Sequence, residues 1–219
     1  MPKLRVLLAG GTGLVGRALL RRLLADPQVA TVHALARRVV PDWPAMNNKL
    51  RPLQVDFAAL PPLPVCDEAY LALGTTLRQA GSREAFRAID FDAVLATALA
   101  AREAGARRLM VVSSVGADAR SRTFYTRVKG EAEDALRALG FEHLVIARPS
   151  LLLGAREALG QASRPAEALA QRCLSPFAQW MPARLRPIAA DTVAAALIAA
   201  ARRDGQGVEV LEAADLHAA

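Results

Sequence analysis

The sequence has few of the residues on which disulfide-rich or metal-dependent folds rely. Only two cysteines, Cys66 and Cys173, and three histidines occur among its 219 residues. Two cysteines are too few for a disulfide framework, which indicates a reducing compartment, and we expect a cytoplasmic protein. His33, His143 and His217 lie far apart with no ligand spacing among them, so we expect no metal site.

Long apolar runs are absent as well. No segment approaches the ~18 consecutive apolar residues that a membrane-spanning helix needs. The chain passes from Met1 directly into a strand-like run, without a separate apolar leader. We therefore expect a soluble, untargeted protein without a membrane partner.

Lysine is scarce, although the net formal charge is +7. The three lysines are Lys3, Lys49 and Lys129, and the other 25 basic residues are arginines. The arginines occur as scattered pairs such as Arg21-Arg22 and Arg107-Arg108, which is typical of solvated surfaces. Without a cluster of positive charge, the sequence argues against nucleic acid as a partner.

A chain of this length, 53% hydrophobic, can bury a substantial core. Short apolar runs alternate with helical stretches, which is the pattern of a parallel sheet wrapped by helices. The predicted strands are Leu4–Ala9, Thr31–Ala36, Leu53–Val55, Glu68–Leu73, Arg108–Val112, His143–Ala147 and Gly207–Leu211. The predicted helices are Leu14–Ala25, Arg83–Ala104, Arg122–Leu139 (followed by Gly140 as the terminating glycine) and Asp191–Arg203, with Asp191 as an N-cap. No repeat or linker separates two units, so we predict a single domain over residues 1–219.

A glycine-rich turn follows the first strand. Gly10, Gly13 and Gly16 are spaced three apart between that strand and its helix. Glycine permits a tight turn and the close approach of a pyrophosphate, whose charge is met by unpaired N–H groups at the helix N-terminus. In this strand-turn-helix context the pattern predicts a dinucleotide site on a Rossmann-type, doubly wound α/β fold.

The end of the second predicted strand bears on which dinucleotide binds. NAD-specific sites usually have an acidic residue there, but this strand ends in Ala36-Arg37-Arg38 and the nearest acid is Asp42. A guanidinium group matches a phosphate in charge and geometry. Arg37 and Arg38 therefore favour NADP(H) over NAD(H).

A serine pair, a tyrosine and a lysine form the candidate catalytic group. Ser113 and Ser114 end the fifth predicted strand, and Tyr125 and Lys129 follow four residues apart on a helix, which places them on one helical face. A phenol titrates near ~10, and a nearby ammonium stabilises its anion, so the pair suits proton transfer. A serine hydroxyl can hydrogen-bond a substrate carbonyl; either serine can do so, and we favour Ser114.

With these motifs in this order, the sequence resembles the atypical short-chain dehydrogenase/reductases, and most closely the Tat-interacting-protein oxidoreductase subgroup. Further segments share the resemblance: Leu73-Gly74-Thr75-Thr76, Val112–Asp118, Val128–Glu131 and Arg148-Pro149-Ser150. The resemblance implies an NADP(H)-dependent oxidoreductase that transfers a hydride to or from a small carbonyl or alcohol substrate. In that reaction Tyr125 would be the proton donor or acceptor, and Lys129 would be its partner and a ribose contact.

The resemblance also implies the residues that hold the cofactor. The pyrophosphate would lie against Gly10, Thr12, Gly13, Leu14 and Val15, and the 2′-phosphate would lie against Arg37 and Arg38. Asp56 would contact the adenine edge, and Leu73, Gly74 and Thr75 would line the adenosine-side ribose and the path to the nicotinamide. Pro149 to Leu152 would flank the nicotinamide itself. Residues 149–190 would contribute a small C-terminal cap lobe for the substrate.

Three questions stay open at this level. Atypical members of the fold can keep the dinucleotide site without turnover, so an NADPH-binding regulatory or scaffold protein is the alternative to an enzyme. The segment Phe91–Ala104 has apolar residues on more than one face, which is consistent with a homodimer. Trp43, Trp180 and Phe177 fall in less regular segments, where they would either line a substrate lobe or anchor loops.

Overall fold

The computed structural model describes residues 3–41, 43, 47–153 and 186–218. In chain order, the elements are β1 (Leu4–Ala9), α1 (Leu14–Ala25), β2 (Val29–Ala36), β3 (Leu50–Gln54), β4 (Glu68–Leu71), α2 (Leu77–Ala80), α3 (Arg83–Arg87), a π-helical turn (Ala88–Ala93), α4 (Val94–Glu103), β5 (Arg108–Val112), α5 (Phe124–Ala138), β6 (His143–Arg148), β7 (Leu152–Leu153), β8 (Ile188–Ala189), α6 (Ala190–Arg202), β9 (Gly207–Glu212) and α7 (Ala213–Ala218).

Seven strands form one parallel sheet in the order β3-β2-β1-β4-β5-β6-β9. The strand order reverses between β1 and β4, so the turns after these two strands diverge and leave a crevice at the carboxyl edge. This arrangement confirms the predicted Rossmann-type α/β fold. A separate two-stranded parallel pair, β7 with β8, was not predicted from the sequence.

Both faces of the sheet are covered, which explains why its strands are nearly continuous apolar runs. In β1, Val6 and Leu8 belong to the hydrophobic cluster that α1 and α6 cover. Leu7 and Ala9 face the opposite cluster, which includes residues of α4 and α5. The glycine turn is thus attached to a strand that is buried on both sides, which fixes its position.

Several boundaries differ from the predicted ones. The predicted helix over residues 83–104 is interrupted by the π-helical turn, and α2 precedes it. Asp191 is not an N-cap: Ala189 occupies that position, while Asp191 lies in the first turn of α6 and its carboxylate accepts hydrogen bonds from Arg22. Gly140 has a φ of +66°, as expected of a glycine that ends a helix.

Of the two cysteines, Cys66 lies among the described residues. Cys66 is buried, and burial raises the pKa of its thiol to about 11, so it is protonated at neutral pH and unreactive. Cys173 lies outside the described residues, as do Trp180, Phe177 and most of the predicted cap lobe at 149–190.

Candidate dinucleotide and catalytic site

The glycine turn after β1 is tightly packed against its own helix and against the end of β4. Gly10 has a φ of +85°, and a Cβ there would lie 2.3 Å from the carbonyl oxygen of Ala72. A Cβ at Gly16 would lie 1.9 Å from the carbonyl oxygen of Gly10. Both positions therefore exclude any side chain, and the turn needs its glycines for packing as well as for a ligand.

The N-terminus of α1 suits a pyrophosphate. Gly13 is the N-cap and supplies no side chain to the free N–H groups of the first turn, which also contains no acidic residue. A Cβ at Gly13 would contact only the carbonyl oxygen of Gly10, at 3.4 Å. The backbone of residues 12–15 lies at the positive end of the helix, which is the end that favours an anion. The contacts of Thr12, Gly13, Leu14 and Val15 with a pyrophosphate stay a prediction.

The second predicted contact region lies beside this turn. Ala9 pairs with Leu35 in the register of β1 and β2, so the chain leaves β2 next to the glycine turn. Arg37 and Arg38 follow, and both side chains are exposed. Asp56 lies just beyond β3, where its carboxylate accepts the N–H of Ala58 at 2.9 Å. These three residues are therefore at the carboxyl edge of the sheet, on the side of the glycine turn where β2 and β3 lie.

The loop after β4 is joined to Lys129 by a residue that the sequence analysis missed. Asp90 is fully buried; its Oδ1 lies 2.7 Å from Nζ of Lys129, and its Oδ2 accepts the N–H of Thr75 at 2.9 Å. Lys129 itself is only 8% exposed. A Cβ on Gly74 would lie 3.2 Å from Oδ1 of Asp90 and 3.5 Å from Nζ of Lys129, so the ammonium group lies beside this loop.

The π-helical turn explains how Asp90 reaches this place. A π turn adds a residue to the helix and changes the direction of the following side chains, and such turns are frequent at functional sites. Here it spans Ala88–Ala93 and includes Asp90. No signal in the sequence marks it, because the surrounding residues read as one ordinary helix.

Tyr125 lies one turn before Lys129, in the first turn of α5. Its ring is half-buried and tilted by 45° against the ring of Phe86, with 5.4 Å between the centroids. Phe86 is fully buried, so its ring holds the tyrosine ring in place from the side of the protein core. In the described part of the chain, the hydroxyl of Tyr125 has no hydrogen-bond partner, which leaves it available to a substrate.

The two serines have different surroundings. Ser113 is buried, and its hydroxyl donates a 2.6 Å hydrogen bond to Oε1 of Glu133. Glu133 is buried too and binds Arg148 through both carboxylate oxygens, at 3.0 and 2.6 Å. Ser114 is half-buried, and its hydroxyl makes only a 3.4 Å contact with the carbonyl oxygen of Val115.

The segment after β6 continues along the same edge. The carbonyl oxygen of Pro149 accepts the N–H of Val115 at 2.9 Å, which joins it to the loop that carries Ser114. Leu152 is half-buried and pairs with Ile188 in the β7–β8 pair. The predicted nicotinamide contacts, Pro149 to Leu152, therefore begin next to the loop that carries Ser114.

Two further findings apply to the described residues alone. No cluster of three or more His, Cys, Asp or Glu side chains among them is arranged to hold a metal ion. None of their helices is long and apolar enough to cross a membrane.

A crevice at the strand reversal, a glycine turn at a helix N-terminus and a Tyr-x-x-x-Lys helix define a dinucleotide-binding protein of the short-chain dehydrogenase/reductase type. The model of the NAD-dependent epimerase/dehydratase family matches residues 6–210. The chain belongs to this family.

Curated relatives match most of the chain. The chain is 39% identical over 176 residues to the protein fmp52, mitochondrial, of Emericella nidulans, covering 76% of this chain and 72% of the relative. It is 36% identical over 191 residues to FMP52, mitochondrial, of Candida albicans, covering 84% and 82%. These names contradict the expectation of a cytoplasmic protein. Few cysteines indicate a reducing compartment but do not distinguish one such compartment from another.

Solved structures share the fold at low sequence identity. MoeE5 in complex with UDP-glucose and NAD has a TM-score of 0.70 and 18% identity, covering 94% of this chain and 75% of that one. The ADP-L-glycero-D-manno-heptose-6-epimerase of Helicobacter pylori has a TM-score of 0.71 and 15% identity, covering 96% and 77%. At this identity the likeness establishes the architecture alone.

Proposed function

We propose that the chain is an NADP(H)-dependent oxidoreductase that reduces a small carbonyl substrate or oxidises the corresponding alcohol. We also propose that it is nearest to the Tat-interacting-protein oxidoreductases, whose motifs it resembles. The observation that carries the proposal is the placement of Lys129: its ammonium group is buried, paired with Asp90 and beside the loop after β4, one helical turn from the half-buried Tyr125.

The cofactor-holding residues would be the N-terminus of α1 for the pyrophosphate and Arg37 with Arg38 for the 2′-phosphate. Leu73, Gly74 and Thr75 would line the path to the nicotinamide, which supplies the hydride when the cofactor is bound. Asp56 would meet the adenine edge. These contacts follow the order of the strands across the sheet, because Asp56 lies after β3, the two arginines after β2, the glycine turn after β1 and residues 73–75 after β4.

The chain's own contribution is proton transfer and orientation. Tyr125 would donate its hydroxyl proton to the carbonyl oxygen on reduction and recover it from the alcohol on oxidation. Lys129 stabilises the phenolate through its positive charge. Ser114 would donate a hydrogen bond to the same substrate oxygen, which fixes the substrate and stabilises charge on that oxygen in the transition state.

A direct test is the binding of NADPH and NADH, measured by calorimetry. We expect the unmodified protein to bind NADPH at least tenfold more tightly, because guanidinium groups pair with the extra phosphate. The Arg37→Ala/Arg38→Ala variant should lose that preference and keep its affinity for NADH. An Arg120→Ala/Arg122→Ala variant, which changes the charge equally in the exposed part of the loop before α5, is the matched control. Equal affinities of the unmodified protein for the two cofactors would contradict the assignment of NADP(H).

The two serines offer an internal comparison for catalysis. Ser114→Ala should reduce turnover by about 10²- to 10³-fold, since it removes a hydrogen bond to the developing oxyanion. Ser113→Ala should leave turnover largely unchanged and instead lower the free energy of unfolding by about 1–3 kcal/mol, because it leaves the buried Glu133 with one bond fewer. Steady-state assays over a panel of aldehydes, ketones and quinones, with urea unfolding, measure both effects. The reverse ranking of the two variants would assign catalysis to Ser113.

If the unmodified protein binds NADPH but turns over no member of that panel, the regulatory or scaffold function is favoured.

We further propose that the whole chain acts as one domain, with residues 149–190 contributing to the substrate side. We also propose that the chain forms a homodimer. Elution from gel filtration at the mass of a monomer would contradict the dimer.

A further inference from the structure

Trp43 packs directly on the glycine turn. Its side chain is only 4% exposed, and a Cβ placed on Gly11 would lie 3.2 Å from both Cζ2 and Cη2 of the indole. The indole therefore lies against Gly11, on the turn that is proposed to receive the pyrophosphate. Of the two roles that the sequence left open for Trp43, the structure shows the anchoring of a loop.

The segment between β2 and Trp43 is held at both ends and exposed in its middle. Val40 packs against the same hydrophobic cluster as Trp43, and its carbonyl oxygen accepts the N–H of Trp43 at 3.1 Å. Arg37, Arg38 and Val39 lie between β2 and this anchor, and all three are exposed, Val39 to 73%. The two arginines thus lie in a short exposed stretch, which β2 holds on one side and the packed side chains of Val40 and Trp43 hold on the other.

We propose that Trp43 is a positioning residue for cofactor selectivity, which keeps Arg37 and Arg38 beside the glycine turn. This inference rests on the proposed NADP(H) function. A loop that is already fixed loses less conformational entropy when its side chains pair with a phosphate, so the anchor favours binding of the phosphorylated dinucleotide. NADH has no 2′-phosphate, so the anchor affects its binding much less.

The test measures the dissociation constants of NADPH and NADH by calorimetry for the unmodified protein and for Trp43→Ala. We expect the preference for NADPH to fall by about tenfold in the variant, the equivalent of one charge-assisted hydrogen bond. Trp43→Phe, which keeps an aromatic ring on Gly11, should retain most of the preference. If Trp43→Ala does not fold, Val40→Ala removes part of the same anchor and takes its place.

Two controls separate selectivity from stability. Leu216→Ala opens a cavity in the same hydrophobic cluster, beneath α7, and should lower stability without changing the ratio of the two constants. Val39→Ala alters the exposed part of the loop and should change neither the stability nor the ratio of the two dissociation constants. An equal loss of affinity for NADPH and NADH in the Trp43 variants would overturn the inference and leave Trp43 a packing residue. If the unmodified protein has no preference for NADPH, the proposed cofactor itself fails, which is a separate result.

Discussion

Replacement of Tyr125 by phenylalanine is expected to reduce turnover by about 10²- to 10⁴-fold, the usual contribution of a positioned acid or base. The variant keeps the ring that packs against Phe86 and loses only the hydroxyl, which has no partner among the described residues. Stability and NADPH affinity should therefore stay near those of the unmodified protein. Steady-state turnover with the best substrate of the carbonyl panel, together with calorimetry for NADPH, measures the two effects.

The only other tyrosine provides a matched control. Tyr70 is fully buried in β4, where its hydroxyl donates to Oε1 of Glu68 at 3.3 Å, and burial raises its pKa well above 10. Tyr70→Phe removes the same atom from a place that no substrate reaches, so it should cost about 1 kcal/mol of stability and leave turnover unchanged. If the two variants lose turnover equally, or if Tyr125→Phe keeps it, Tyr125 is not the acid or base.

The sequence was sufficient to predict the fold, the glycine turn and the common helix face of Tyr125 and Lys129. The glycine turn could be predicted because its spacing, its strand and its helix are all local features, and Gly10 and Gly16 indeed have no room for a side chain. Tyr125 and Lys129 could be placed on one helix face for the same reason. Each of these inferences needs only residues that are close together in the chain.

The contacts that the sequence did not predict are those that join distant segments. Asp90 is separated from Lys129 by a helix and a strand, and only the π-helical turn brings its carboxylate to the ammonium group. Likewise, the contact between Trp43 and Gly11 depends on the path of the β2–β3 connection. The hydrogen bond from Ser113 to Glu133 could not be predicted either, because it depends on how α5 packs beside the end of β5. Long-range packing of this kind has no periodic signature in a single sequence.

Replacement of Asp90 by asparagine should be among the most damaging changes that leave the shape of the site unaltered. The amide can still accept the N–H of Thr75, but the ammonium group of Lys129 then has no counter-charge while it remains 8% exposed. Breaking a buried ion pair from one side typically costs about 3–5 kcal/mol. We expect a loss of this order in the free energy of unfolding, measured in urea, with a fall in turnover because no carboxylate then fixes the position of the ammonium group relative to Tyr125.

Removal of the second charge distinguishes the structural part of this effect from the functional part. Lys129→Met alone should also be destabilising, since it leaves the carboxylate of Asp90 buried without its cation. The double variant Asp90→Asn/Lys129→Met buries neither charge and should regain most of the stability, because a buried pair can be replaced by neutral groups at little cost. Turnover should not return, since no ammonium group is left to stabilise the Tyr125 phenolate. Recovery of turnover together with stability in the double variant would mean that the pair only supports the fold, and that Lys129 takes no part in catalysis.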